Sequence, residues 1–277
     1  MITILDNADS RVIDKLYKDQ KFPVQDITEL PCLENDVFVL KSGSKSAMAI
    51  VRDGKLQLMP DKKITDDLKG QNLEQKVFLN YLYDPEVVAI ICTGVAGSGK
   101  SLLSMGYAVD SIRSGEFQEL VISRPPVAHS KKFAQGSLPG EISEKLKPWL
   151  AVFYDNISKV RQYLGIHREN KFAIREVSLE YIKGLTFDNS LIVLDEAEDL
   201  TVQELKAVLT RVGHNSKIII LGDIDQSTER GCAETLSKTS SAFRSKKLSV
   251  KEQRMVATVH LVDSLRSDFV NLVLKVL

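Results

Sequence analysis

The chain has 277 residues, enough to bury a substantial core, and its 43% apolar and 27% charged residues describe a globular protein rather than a disordered or fibrous one. Its 37 basic and 37 acidic residues cancel, which excludes a surface that traps polyanions everywhere but leaves room for a local basic groove. The longest unbroken apolar run, Val87 to Cys92, is far short of the roughly 20 residues a membrane span needs, so no membrane partner is expected. The N-terminal residues lack the basic-then-apolar pattern of a secretory leader. The three cysteines, Cys32, Cys92 and Cys232, are widely spaced and form no C-x-x-C pair. A disulfide framework or zinc site is therefore not expected, and a cytoplasmic location is.

In chain order, Asp36 to Pro60 reads as a small β unit. DVFVL is followed by AMAIVRDGKLQLM, in which Asp53-Gly54 separates two apolar-rich runs. Asp-Gly in that position predicts a tight hairpin, because both central positions of a type I′ turn need positive φ. A charged linker, DKKITDDLKGQN, comes next. LEQKVFLNYLYD then places Leu73, Val77, Phe78, Tyr81 and Leu82 on one helical face.

From Val87 onward strands alternate with helices, which predicts an α/β fold with a mostly parallel sheet flanked by helices. VVAIIC, LVIS, LIVLDE and KIIILGD have the continuous apolar character of strands covered on both faces. TVQE at Thr201 to Glu204 is a capping box opening a helix with Val202, Leu205, Val208, Leu209 and Val212 inward. SVKE at Ser249 to Glu252 is a second. It predicts a C-terminal helix of about seven turns, with Val259, Val262, Leu265 and Phe269 on one stripe. No internal repeat or low-complexity tract is visible.

Residues 94–101, GVAGSGKS, fit G-x-x-x-x-G-K-[ST] between an apolar strand and the helix-like SLLSMGYAVDSIR. Glycines let Gly94, Val95, Ala96, Gly97, Ser98 and Gly99 wrap closely, so that backbone N–H groups and the helix N-terminus meet phosphates. Lys100 is expected to reach the β and γ phosphates, and the Ser101 hydroxyl to help hold Mg²⁺. LIVLDEAED supplies a metal holder, Asp195, and a base, Glu196, to polarise the attacking water. GDIDQ, after the next strand, offers Gln226 for sensing the γ phosphate or positioning the water. Arg124 in VISRPP and Arg211 in LTRVG are candidate phosphate or nucleic-acid contacts, although an Arg near a helix end is also an ordinary dipole-matched surface residue.

The succession GVAGSGKS, VISRP, SLPGEISEKLKPWL, YIKGLTFDNSLIVLDEAED, LTRVGHNSKIIILGDIDQ resembles the PhoH-like proteins, the phosphate-starvation-inducible ATPase group whose core is similar to half of a superfamily 1 helicase. The resemblance runs almost continuously over about residues 72–226. It implies a RecA-like P-loop NTPase at residues 67–277, with residues 1–66 forming a small N-terminal β-rich unit and linker. That unit resembles the segment joining a PIN nuclease to the ATPase in fused forms, and nuclease activity is not carried over. The resemblance further implies that Gln75 in NLEQK reads adenine through its amide, and that Arg254 in KEQR meets the γ phosphate.

The chain departs from the family where Lys183-Gly184-Leu185 replaces a frequent Arg-Gly-Arg, and where Ala197-Glu198-Asp199 replaces Ala-Gln-Asn. With room for one RecA-like lobe, the chain is expected to self-associate, a hexameric ring being one form. Single-stranded RNA or DNA is a candidate partner, through Lys131-Lys132, Arg161 with Arg168 and Lys171, and Arg244 to Lys247. The expected activity is Mg²⁺-dependent hydrolysis of ATP to ADP, coupled to nucleic-acid binding or remodelling. The alternatives are a slow nucleotide-dependent switch or scaffold and, less suited to these carboxylates, a small-molecule phosphotransferase.

Overall fold

The computed structural model describes residues 1–28, 31–125, 142–166, 173–182, 184–224 and 234–264. Its first sheet has five strands, β1 (Ile2–Leu5), β2 (Lys21–Pro23), β3 (Val37–Ser42), β4 (Lys45–Arg52) and β5 (Lys55–Leu58), in the order β1-β3-β4-β5-β2. Asp53 and Gly54 join β4 to β5 with φ of 52° and 70°, the tight turn that Asp-Gly predicts. Side-chain alternation divides the sheet. Phe38, Leu40, Ala49, Val51 and Leu56 bury against Ile13 and Leu16 of α1 (Ser10–Asp19), while Val37 and Ile50 face a larger core.

The second sheet has six strands in the order β11-β6-β10-β9-β7-β8, and every pairing in it is parallel. Its strands are β6 (Ala89–Gly94), β7 (Glu119–Ser123), β8 (Ala173–Glu176), β9 (Ser190–Leu194), β10 (Lys217–Gly222) and β11 (Val256–Leu261). The helices α3 (Lys100–Ser114), α4 (Ile142–Tyr163), α5 (Val202–Leu209), α6 (Thr235–Phe243) and α7 (Val250–Arg254) accompany it. β6, β9 and β10 are buried along their whole length, as continuous apolar strands require when helices cover both faces.

α2 (Leu73–Leu82) packs into the core shared by the two sheets. Asn72 caps it by accepting the Gln75 N–H at 3.0 Å. Its apolar face extends round the helix: Leu79 buries with Val77, Phe78, Tyr81 and Leu82, and so do the polar Gln75 and Asn80. Val37 and Ile50 of the first sheet and Ile90, Val259 and Leu261 of the second belong to that core.

Two expectations need correction. The Ser249 capping box is present, but its helix is only the short α7, and the chain from Val256 pairs with β6 from Val256↔Ala89 to Leu261↔Gly94. Val-Ala-Thr-Val-His-Leu is rich in β-branched residues, and Ala257, Val259 and Leu261 bury at every second position, so the free edge of β6 wins over helix propagation. Leu265 and Phe269 lie outside the described residues. In α5, Leu205 and Val208 point inward, but Val202, beside the Thr201 cap, is 49% exposed.

Candidate active site

The glycine-rich loop leaves β6 at Gly94 and becomes α3 at Lys100. Gly97 and Gly99 hold φ of 81° and 89°, a region strained for any residue with a Cβ. Lys100 Nζ donates to the carbonyls of Gly94 and, at 3.0 Å, of Val95, so the ammonium lies folded over its own loop. Ser98 Oγ is buried without a hydrogen-bond partner, a polar group that still lacks what a bound oxygen could supply.

Gln75 braces this loop from α2. Its Nε2 donates to the Ser98 carbonyl at 2.9 Å and its Oε1 accepts the Gln71 N–H at 2.7 Å. The residue is 2% exposed, and a Cβ on Gly99 would lie 2.9 Å from Gln75 Nε2. The amide expected to read adenine is thus bonded at both ends to its own chain and acts on the loop.

The acidic pair sits at the end of β9, with β10 lying between it and the loop strand β6. Ser101 Oγ donates to Asp195 Oδ2 at 3.3 Å, joining the start of α3 to the carboxylate. Burial pushes the Asp195 carboxyl above its ordinary pKa, opposed by Arg124, the Ser101 hydroxyl and Lys100. Glu196 adopts a left-handed backbone with φ of 53°, a conformation typical of functional sites and costing about 1–3 kcal/mol. Its N–H donates to Asp195 Oδ1 at 3.1 Å, and its carboxylate pairs with the Arg124 guanidinium from the end of β7.

Glu198 adds a part that its position in the motif did not reveal. Its carboxylate accepts the Asp223 N–H at 3.0 Å, tying the turn after β9 to the end of β10. A Cβ on Gly222 would meet Leu236 Cδ1 at 2.4 Å and Glu198 Oε2 at 2.9 Å, so this glycine is fixed by close approach. Burial raises the Glu198 pKa, with backbone N–H groups opposing. The charge that Glu198 brings to the carboxylate cluster therefore has a structural task. A sequence signal existed in the Gly-Asp step after an apolar strand, but nothing in it named the partner.

These residues surround a cleft of about 250 Å³ lined by Ala96, Gly97, Lys100, Ser101, Arg124, Asp195, Glu196, Glu198 and Asp223. Two expected members lie elsewhere. Arg211 follows α5 and donates to the Leu185 carbonyl at 3.4 Å, while its own carbonyl accepts the Phe187 N–H; both place it near the starts of β9 and β10. Arg254 precedes β11 and pairs with Glu34, Asp53 and Glu86. Since Val256 is level with Ala89, about 17 Å of strand separates Arg254 from the loop of the same chain. Gln226 lies outside the described residues, as do Lys131, Lys132, Arg168 and Lys171.

A parallel sheet whose glycine-rich loop opens a helix, with an acidic pair two strands away, defines the RecA-like P-loop NTPase fold. The PhoH-like protein profile matches residues 67–277, and the chain belongs to that family. It is 30% identical over 230 residues to protein PhoH2 of Bacillus subtilis, covering 78% of this chain and 51% of the relative. It is also 30% identical over 203 residues to a PhoH-like protein of Mycobacterium leprae, covering 69% of this chain and 58% of the relative. The chain thus spans about half to three fifths of these relatives' lengths. Among solved structures, the large terminase of bacteriophage D6E aligns with 71% of this chain and 48% of its own at 13% identity, with a TM-score of 0.45. No described helix is long and apolar enough to cross a membrane.

Proposed function

We propose that the chain is a magnesium-dependent ATPase. The observation that carries this reading is the convergence of Lys100, Ser101, Asp195 and Glu196 on one cleft at the strand ends. Lys100 would exchange its loop carbonyls for the β and γ phosphate oxygens. The Ser101 hydroxyl and Asp195 carboxylate, already bonded to each other, are the groups to hold Mg²⁺, which when bound neutralises charge on the phosphate oxygens.

Glu196 would orient the attacking water and accept its proton. To do so its carboxylate must leave Arg124, whose guanidinium borders the same cleft and could turn to the γ phosphate. Among the described residues a single lobe borders the cleft, and a second copy of the chain, in a ring such as a hexamer, would supply a second wall. Single-stranded RNA or DNA is the proposed partner of such an assembly, on the strength of the family's resemblance to half a helicase.

One observation favours a second reading. While Arg124 holds Glu196 the base is occupied, which suits a nucleotide-dependent switch or scaffold with slow turnover. Phosphate release from ATP and Mg²⁺, with and without single-stranded RNA and DNA, separates the two. Stimulated turnover that Lys100→Ala abolishes supports the ATPase. Nucleotide binding with negligible, unstimulated turnover supports the switch, and absence of nucleotide binding contradicts both.

A further inference from the structure

The turn Glu34-Asn35-Asp36, which leads into β3 of the first sheet, grips the segment leading into β11 of the second. Asn35 is 3% exposed and takes a left-handed φ of 67°. Its Nδ2 lies within hydrogen-bond reach of three carbonyls at the junction of α7 and β11: Gln253 at 3.2 Å, Arg254 at 3.0 Å and Val256 at 2.9 Å. Its Oδ1 accepts from Arg52 at 2.6 Å, and its own carbonyl accepts the Tyr81 hydroxyl at 2.6 Å. On one side, Glu34 accepts from Arg254 Nε at 3.0 Å and from the Asp53 N–H at 2.7 Å. On the other, Asp36 pairs with Arg244 at 2.8 Å.

β11 carries this grip to the glycine-rich loop. Among the described residues it is an edge strand of its sheet, bonded there to β6, and its register ends at Leu261↔Gly94. The Leu261 carbonyl accepts the Val95 N–H at 3.3 Å, and a Cβ on Gly94 would lie 2.3 Å from that oxygen. Movement of β11 along β6 therefore drives a carbonyl against the first residues of the loop.

We infer that Glu34-Asn35-Asp36 is a positioning element for the phosphate loop: by holding the start of β11 it fixes the height of Leu261 and hence of Gly94 and Val95. The effect on nucleotide affinity rests on the function proposed above; the effect on loop order does not.

The test uses the full chain with Asn35→Gly, which suits φ of 67° and removes the side chain that carries the amide, and with the milder Glu34→Gln. Leu56→Ala, in the first sheet's core against α1, is the control for general destabilisation. Amide hydrogen exchange is measured in nucleotide-free protein, and a fluorescent ADP analogue is titrated separately. Asn35→Gly is expected to speed Val95 exchange about tenfold and to weaken the analogue about fivefold or more. Glu34→Gln does the same to a smaller degree, and Leu56→Ala lowers Tm without either effect. Unchanged Val95 exchange in both turn variants, or an equal rise in Leu56→Ala, overturns the inference. Raised exchange in a protein whose wild type does not bind the analogue supports the positioning role and overturns the proposed function.

Discussion

Replacing Gly99 with alanine is expected to weaken nucleotide binding far more than it weakens the fold. Gly99 holds φ of 89°, and an L-residue in that region costs roughly 1–2 kcal/mol. The added Cβ also falls 2.9 Å from Gln75 Nε2, so that amide must move and its 2.9 Å bond to the Ser98 carbonyl is lost, about 1 kcal/mol more. A loop relieved of strain in the free protein must be forced back to receive phosphates, so these terms appear in affinity: about 2–3 kcal/mol, or about 30- to 150-fold in Kd. Gly115→Ala is the matched control, because Gly115 ends the same helix with φ of 80° and nothing within 4 Å of its added Cβ. It suffers the backbone strain without touching the loop. Titration with a fluorescent ADP analogue and urea unfolding of both variants complete the comparison. Equal affinities in Gly99→Ala and wild type would refute the proposed cradle.

Other substitutions test separate parts. Lys217 is buried, its Nζ donates to the Leu82 and Asp84 carbonyls at 2.6 and 2.8 Å, and burial lowers its pKa from 10.5 to about 8. Because the folded pKa is the lower one, the unfolded chain binds more protons between those values. The stability of wild type relative to Lys217→Met is therefore expected to rise from pH 8 to 10.5, by up to about 3 kcal/mol in urea unfolding, and to stay flat below pH 8. Arg124→Ala is expected to cut turnover at saturating ATP about 10²-fold if the guanidinium serves the transition state; a rise in phosphate release would make its pair with Glu196 a brake. Thr201→Ala removes the hydroxyl that accepts the Glu204 N–H at 3.3 Å while leaving the Thr201 N–H to the Glu204 carboxylate, and is expected to cost about 1 kcal/mol of stability by urea unfolding, with ADP affinity unchanged.

The sequence announced those parts of the fold whose signal is local. Asp53-Gly54 marks its own hairpin, Thr201 and Ser249 mark their caps, and the runs in β6, β9 and β10 are apolar because both faces are covered. The octet and Asp195-Glu196 were legible for the same reason, since the residue types and the strand before them are contiguous. What depended on distant partners was not legible. Val256 to Leu261 carries β-branched residues that favour a strand, but the edge of β6 that decides against the helix lies far away in the chain. Arg254 looks like a phosphate contact until Glu34, Asp53 and Glu86 come to meet it from other parts of the chain. Gln75 and Glu198 carry the right chemistry at the right place, but their bonds to the Ser98 carbonyl and the Asp223 N–H become visible only when three strand ends and α2 are assembled.

In the proposed reaction Glu196 performs the hydrolytic step in a site that Lys100, Ser101 and Asp195 prepare for nucleotide and metal. Its most direct test is single-turnover phosphate release from ATP and Mg²⁺ by wild type and Glu196→Gln, with ATP binding measured on the same samples. The variant is expected to bind ATP as wild type does and to release phosphate about 10²- to 10⁴-fold more slowly. Equal single-turnover rates in the two proteins would contradict it.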